Sequence, residues 1–245
     1  MRPSQAASRC IGRGVLLRYR AMSGPRAGDI ADVIVSKRIA VMGGTFDPIH
    51  YAHLLIAEDV RRRFKLPQVL FVPSGNPPHK SNGEVTSAED RYIMAELATC
   101  SNPHFAVSRM ELDRAGPSYT IDTIRELKSI IGKGAEVFFV TGADAILEIV
   151  TWHQPDAILD EARLIAVPRP GFDIDGLNET LGAERASKVM VIDAPLADIS
   201  STRIRKLIRA GESARYLTPR AVIDYIMKRG LYRAPDDDQP MEEPE

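Results

Sequence analysis

The stretch RIAVMGGTFDPIHYAHLLIAEDVRRR, from Arg38 to Arg63, constrains this chain more than any other. A short apolar run from Arg38 to Met42 stops at Gly43-Gly44, and helical apolar spacing follows, which spells strand, glycine turn, helix. The glycines let backbone N–H groups approach a ligand closely, and Pro48 ends extended pairing. A helix opening near Ile49 to Tyr51 then offers unpaired N–H groups at the positive end of its dipole. Such a corner attracts phosphate. His50 and His53 stand three apart at that helix start, about 60° around the axis, so both imidazoles can face one ligand. Ala52, Ile56, Val60 and Phe64 form the stripe expected to pack on the sheet.

The rest of the chain repeats this alternation. Gln68 to Pro73, His104 to Val107, Glu136 to Thr141, Arg163 to Val167 and Val189 to Ile192 read as strands. Between them, helices are expected from a Thr86 or Ser87 cap through Leu97, after a Ser118 cap through the segment YTIDTIRELKSII, and after Thr151 to Gln154. Gly171 to Ser187 reads as a surface helix and loops, and ISSTRIRKLIRAGE as a short helix stopped at Gly211. The last helix is expected to be capped by Thr218, with Pro219 in its first turn, Val222 and Ile226 on its apolar stripe and Gly230 at its end. Strands alternating with helices predict an α/β, doubly wound, mainly parallel sheet with helices on both faces. GGTFDP lacks the G-x-G-x-x-G spacing, which argues against a dehydrogenase.

A length of 245 residues suits one sizeable domain, and 44% hydrophobic with 27% charged residues excludes disordered and collagen-like classes. The net charge of −1 hides opposed tails, because Met1 to Gly28 holds six arginines and no acid, and Ala234 to Glu245 six acids and no base. We read residues 1–36 as a basic extension, disordered or translated from a start upstream of Met22, although an Arg-rich, acid-free stretch also suits an organelle transit peptide. Residues 37–233 form the functional domain, and 234–245 an acidic, disordered tail. The near-neutral body gives no support to nucleic-acid binding. No apolar run is long enough to span a bilayer, and Cys10 and Cys100 show no metal or disulfide spacing, so a cytoplasmic setting is expected.

Ser200, Ser201 and Thr202 open a helix that continues through Arg203, Arg205, Lys206 and Arg209, a second place where hydroxyls, free N–H groups and a guanidinium suit an anion. GGTFDPIHYAH resembles the (T/H)xGH signature of the nucleotidyltransferase superfamily, with Ala52 in place of the glycine. The added methyl group is favoured in a helix by up to about 1 kcal/mol, so the histidine geometry should survive. ISSTRIR resembles the ISSTxIR signature of the same superfamily. GNPPHK (Gly75 to Lys80), PSYTIDT (Pro117 to Thr123), Gly142 to Asp144, Thr151 to His153 and Arg169 to Gly171 occur in an order similar to bacterial nicotinate-nucleotide adenylyltransferases. Taken singly, Trp152 would be core, His79 a loop residue and Asp144 a turn or cap. Their shared order carries the resemblance, which covers Arg38 to Arg233.

That resemblance implies a Rossmann-like nucleotidyltransferase fold and adenylyl transfer from ATP to nicotinate mononucleotide, giving nicotinate adenine dinucleotide and pyrophosphate. It implies ATP binding by Gly43, Gly44, Thr45, Phe46, His50, His53, Ser201, Thr202 and Arg205, with His50, His53 and Arg205 catalytic. Acceptor binding would fall to Lys80, Thr120, Asp144, Trp152, His153 and Arg169, with the ring on Trp152 and its carboxylate at amides beside His153 and Thr120. A pocket for a carboxylate should keep acids away, and no Asp or Glu occurs within Ser118 to Ile121 or Val150 to Pro155. Mg²⁺ is expected on the triphosphate, with no protein metal cage. A homo-oligomer fits as well as a monomer. The rival readings are the same transfer to nicotinamide mononucleotide or phosphopantetheine, and a nucleotide-binding regulator without turnover.

Overall fold

A computed structural model of the chain describes residues 34–77, 85–168, 175–193 and 198–233. The strands are β1 (Arg38–Gly44), β2 (Val69–Pro73), β3 (Phe105–Val107), β4 (Glu136–Gly142), β5 (Arg163–Val167) and β6 (Val189–Val191). They form one sheet in the order β3-β2-β1-β4-β5-β6, and every pairing is parallel. The helices are α1 (Tyr51–Arg63), α2 (Ala88–Thr99), α3 (Met110–Asp113), α4 (Thr120–Ile131), α5 (Ala143–Leu147), α6 (Pro155–Glu161), α7 (Asp175–Ala186), α8 (Ser201–Arg209) and α9 (Arg220–Arg229).

Alternation along each strand builds two cores. Ala40 and Met42 join Phe71, Phe138 and Ile165 beneath α1, α2, α8 and α9, whose Val60, Met94, Ile204 and Ile226 are fully buried. On the opposite face Ile39 and Val41 join Leu70 and Phe139 beneath α4, whose Ile121, Ile124 and Leu127 are equally buried. The chain winds outward from β1 to β3, returns to pair β4 with β1, and winds outward again. The switch point between β1 and β4 is where open α/β sheets hold ligands, at the strands' carboxyl ends.

Two expected caps are replaced by tertiary bonds. Ser118 does not cap α4, whose N-cap is Tyr119; its Oγ instead accepts hydrogen bonds from the N–H groups of Gly75 and Asn76 at 3.0 and 3.1 Å. Thr218 does not cap α9, which starts after Pro219. Its hydroxyl donates to the Ile49 carbonyl at 2.7 Å, fixing the turn that leads into α1. Ser87 does cap α2, accepting from Asp90 N–H at 3.1 Å. The basic extension up to residue 33 and the acidic tail from residue 234 lie outside the described residues.

Candidate active site

At the switch point β1 gives way to the GGTFDP turn. A Cβ on Gly43 would sit 3.1 Å from the Phe139 ring, and one on Gly44 3.0 Å from the Phe46 ring, so glycine lets the turn lie against both aromatics. Phe46 takes a left-handed backbone (φ 51°), a costly conformation for a bulky residue, and its ring is buried edge-on to His53 at 5.1 Å. His50 is the N-cap of α1 and only 6% exposed. Its N–H donates to His53 Nδ1 at 3.2 Å, and the two imidazoles stack with centroids 3.7 Å apart. Because Nδ1 accepts that bond, a neutral His53 carries its proton on Nε2, as a donor.

The start of α8 docks on this turn. Ser200 caps it, accepting from Arg203 N–H at 3.2 Å. Ser201 Oγ donates to the Pro48 carbonyl at 2.9 Å, so its hydroxyl proton serves the turn and its remaining donor is the N–H. Arg205 donates from Nη1 to the Asp47 carbonyl at 2.7 Å and from Nη2 to Thr202 Oγ1 at 3.4 Å. Arg203 is exposed and reaches the Asp198 carbonyl instead. The two anion corners, joined by contacts that span 153 and 158 residues of chain, are therefore one constellation held by the Asp47-Pro48 carbonyls.

Beside it opens a cavity of about 640 Å³ whose wall includes Gly43, Gly44, Thr45, Thr120, Trp152 and His153. Trp152 stands edge-on to Phe139 with centroids 6.3 Å apart, and the His153 ring stacks on Tyr119 at 4.4 Å. Thr120 is the first residue of α4, where helix N–H groups face outward. Asp144 is brought to the carboxyl end of β4 but is exposed and absent from the cavity wall. Lys80 and Arg169 lie outside the described residues, as does His79. The expectation that acids keep away needs correction, since Glu111 and Glu148 both line the cavity. Burial pushes the Glu111 carboxyl above the usual range, opposed by hydrogen bonds from Thr123 and Ser118. Both acids lie outside Ser118 to Ile121 and Val150 to Pro155, and α3 and the end of α5 reach the wall only through the fold.

Three further residues hold the site and were not singled out from sequence. Asp47, 3% exposed, accepts hydrogen bonds from Tyr232 Oη at 2.6 Å and Thr86 N–H at 3.3 Å. Burial, and then the Asp47 charge, drive the Tyr232 hydroxyl far above its ordinary pKa. Arg91, 1% exposed, donates to the carbonyls of Thr45, Thr86 and Gly75. One sequence signal could have found it: Arg91 lies three and four residues before Met94 and Ala95, on the apolar stripe of α2.

Two helix starts converging on one switch point, beside a cavity, form the arrangement of a ligand-binding doubly wound α/β protein. Residues 41–207 match the Cytidylyltransferase-like family. The chain is 51% identical over 199 residues, 80% of its length and 92% of the relative's, to a probable nicotinate-nucleotide adenylyltransferase of Moorella thermoacetica. It is 48% identical over 201 residues, 82% of its length and 92% of the relative's, to one of Saccharopolyspora erythraea. The nicotinic acid mononucleotide adenylyltransferase of Plasmodium falciparum, solved in complex with NaAD, shares the fold with TM-score 0.66 at 22% identity, over 80% of this chain and 98% of that one. The chain belongs to the Cytidylyltransferase-like family, among the nicotinate-nucleotide adenylyltransferases. No helix among the described residues is long and apolar enough to cross a membrane.

Proposed function

We propose that this protein transfers the adenylyl group of ATP to nicotinate mononucleotide, forming nicotinate adenine dinucleotide and releasing pyrophosphate. The observation that carries the reading is the joining of the His50–His53 corner and the Ser201–Arg205 corner beside the Trp152 cavity. The attacking group is a phosphate already ionised at neutral pH, so the protein needs no general base. Its task is positioning and charge stabilisation at the α-phosphorus. His50, His53 and the amides of Gly43 to Phe46 would hold the α-phosphate as charge builds there. Arg205, with the N–H groups of Ser201 and Thr202, would hold the β and γ phosphates as they leave.

Mg²⁺ fits as a substrate-borne ion, because Asp47, the buried carboxylate of the corner, is already engaged by Tyr232 and Thr86. When bound it would neutralise triphosphate charge. In the cavity the pyridine ring would stack on Trp152, and its carboxylate would meet main-chain amides at His153 and at Thr120, where the start of α4 favours an anion. Lys80, Asp144 and Arg169 are proposed to act around the acceptor's ribose and phosphate. The domain doing this is residues 37–233. The test is incubation with ATP, Mg²⁺ and each candidate acceptor in turn, followed by identification of product. Pyrophosphate with nicotinate adenine dinucleotide is expected, and ATP left intact with every acceptor would refute the reading.

A further inference from the structure

Arg91 is a charged side chain in a place where the fold alone would take a hydrocarbon. It projects from α2 into the layer between α2 and the sheet's carboxyl edge and is 1% exposed. Burying a guanidinium is costly unless its donors are met. Here they are met by carbonyls from three separate loops: Thr45 at 2.8 Å from Nη1, Thr86 at 2.9 Å from Nε and Gly75 at 3.3 Å from Nη2. Burial lowers its pKa, and the nearby Asp47 charge opposes that fall.

Each loop leads to a different part of the site. Thr45 belongs to the turn before His50 and lines the cavity. Thr86 passes its own N–H to Asp47, whose carbonyl receives Arg205. Gly75 passes its N–H to Ser118, beside Tyr119 and Thr120 on the cavity wall. A Cβ on Gly75 would lie 2.0 Å from the Glu111 carbonyl oxygen, so that loop is wedged tightly against α3. One guanidinium plane thus ties the turn before His50 to the loop that bonds Ser118 beside the cavity. Lysine, with a single flexible ammonium, cannot span three diverging carbonyls in this way.

We infer that Arg91 is a positioning residue that couples the two substrates, so that filling the triphosphate corner tightens the acceptor cavity and the reverse. The inference rests on the reaction proposed above. Its test is calorimetric titration with an ATP analogue carrying a methylene group between the α and β phosphorus, with and without saturating nicotinate mononucleotide. The wild type should bind the analogue about tenfold more tightly when the acceptor is present, within the usual range of coupling between sites. Arg91→Lys and Arg91→Gln should bring that ratio close to one, with analogue affinity in the absence of acceptor within about threefold of wild type. A merely structural arginine would lower the melting temperature and leave the ratio alone. Folded variants that keep the wild-type ratio, a wild-type ratio of one, or failure of both variants to fold would each overturn the inference. Absence of binding by the wild type would remove the proposed function along with it, so the two failures are distinguishable.

Discussion

At the scale of single residues the proposed chemistry rests on a few donors whose second function is already committed. His53 accepts the His50 N–H on Nδ1, so in its neutral form the proton sits on Nε2. His53→Ala is therefore expected to fold normally and to lose about two to three orders of magnitude in turnover, the usual loss for one preorganised donor. His50→Ala should behave alike. Near wild-type turnover in either would reduce the pair to architecture. Arg205 and Arg203 allow a sharper comparison, since only Arg205 is anchored on the histidine turn. Arg205→Ala should raise the KM for ATP by about ten- to a hundredfold, the worth of a charged hydrogen bond, and Arg203→Ala by much less. Equal damage in parallel ATP titrations would contradict that assignment. The histidine pair was legible as a candidate from its spacing, and Arg205 from the resemblance of ISSTRIR to the ISSTxIR signature. Asp47, Arg91 and Tyr232 were not, because what matters about them is a partner 46 or 185 residues away.

At the scale of elements, strand positions were legible almost to the residue, since buried parallel strands read as continuous apolar runs. Helix starts were less so. Ser118 and Thr218 have the chemistry of caps, but both hydroxyls bond to other segments, Ser118 as acceptor and Thr218 as donor, and no local pattern encodes that competition. The consequence is a carboxyl-terminal clasp: Leu217 receives the Tyr51 N–H, Thr218 holds Ile49, and Tyr232, beyond α9, holds Asp47. Tyr232→Phe leaves a buried carboxylate short of a donor and should cost about 1–3 kcal/mol in denaturant unfolding, with a loss of turnover as the turn loosens. Wild-type stability in that variant would dissolve the clasp. On α2, burial raises the Glu96 carboxyl above its ordinary value, against the pull of Tyr92. An acid with a raised folded pKa is least harmful when protonated. Its burden is absent below the unfolded value of about 4.3 and grows as pH rises through the folded value. Glu96→Gln can still accept from Tyr92, so its melting temperature should gain on the wild type as pH rises from 4 to 7. Parallel curves of melting temperature against pH would show that Glu96 carries no such burden.

At the scale of the whole molecule, alternating elements and right-handed crossovers made the doubly wound sheet legible, and its switch point then gathers segments that the sequence presents as unrelated. What the alternation could not show was which segments would wall the cavity. On that wall, Glu111 comes from α3 and Glu148 from the end of α5. They bear directly on the central claim, because a carboxylate acceptor is repelled by ionised acids, whereas a carboxamide could donate to them. If the amides at His153 and Thr120 dominate, the acid-form acceptor is preferred, because one mismatched buried donor costs about 1–3 kcal/mol and several cost more. The direct measurement is kcat/KM for nicotinate mononucleotide against nicotinamide mononucleotide, with ATP and Mg²⁺ saturating. The account predicts a ratio of at least about tenfold in favour of the acid form. A ratio of one, or a preference for the amide, would contradict the proposed acceptor pocket.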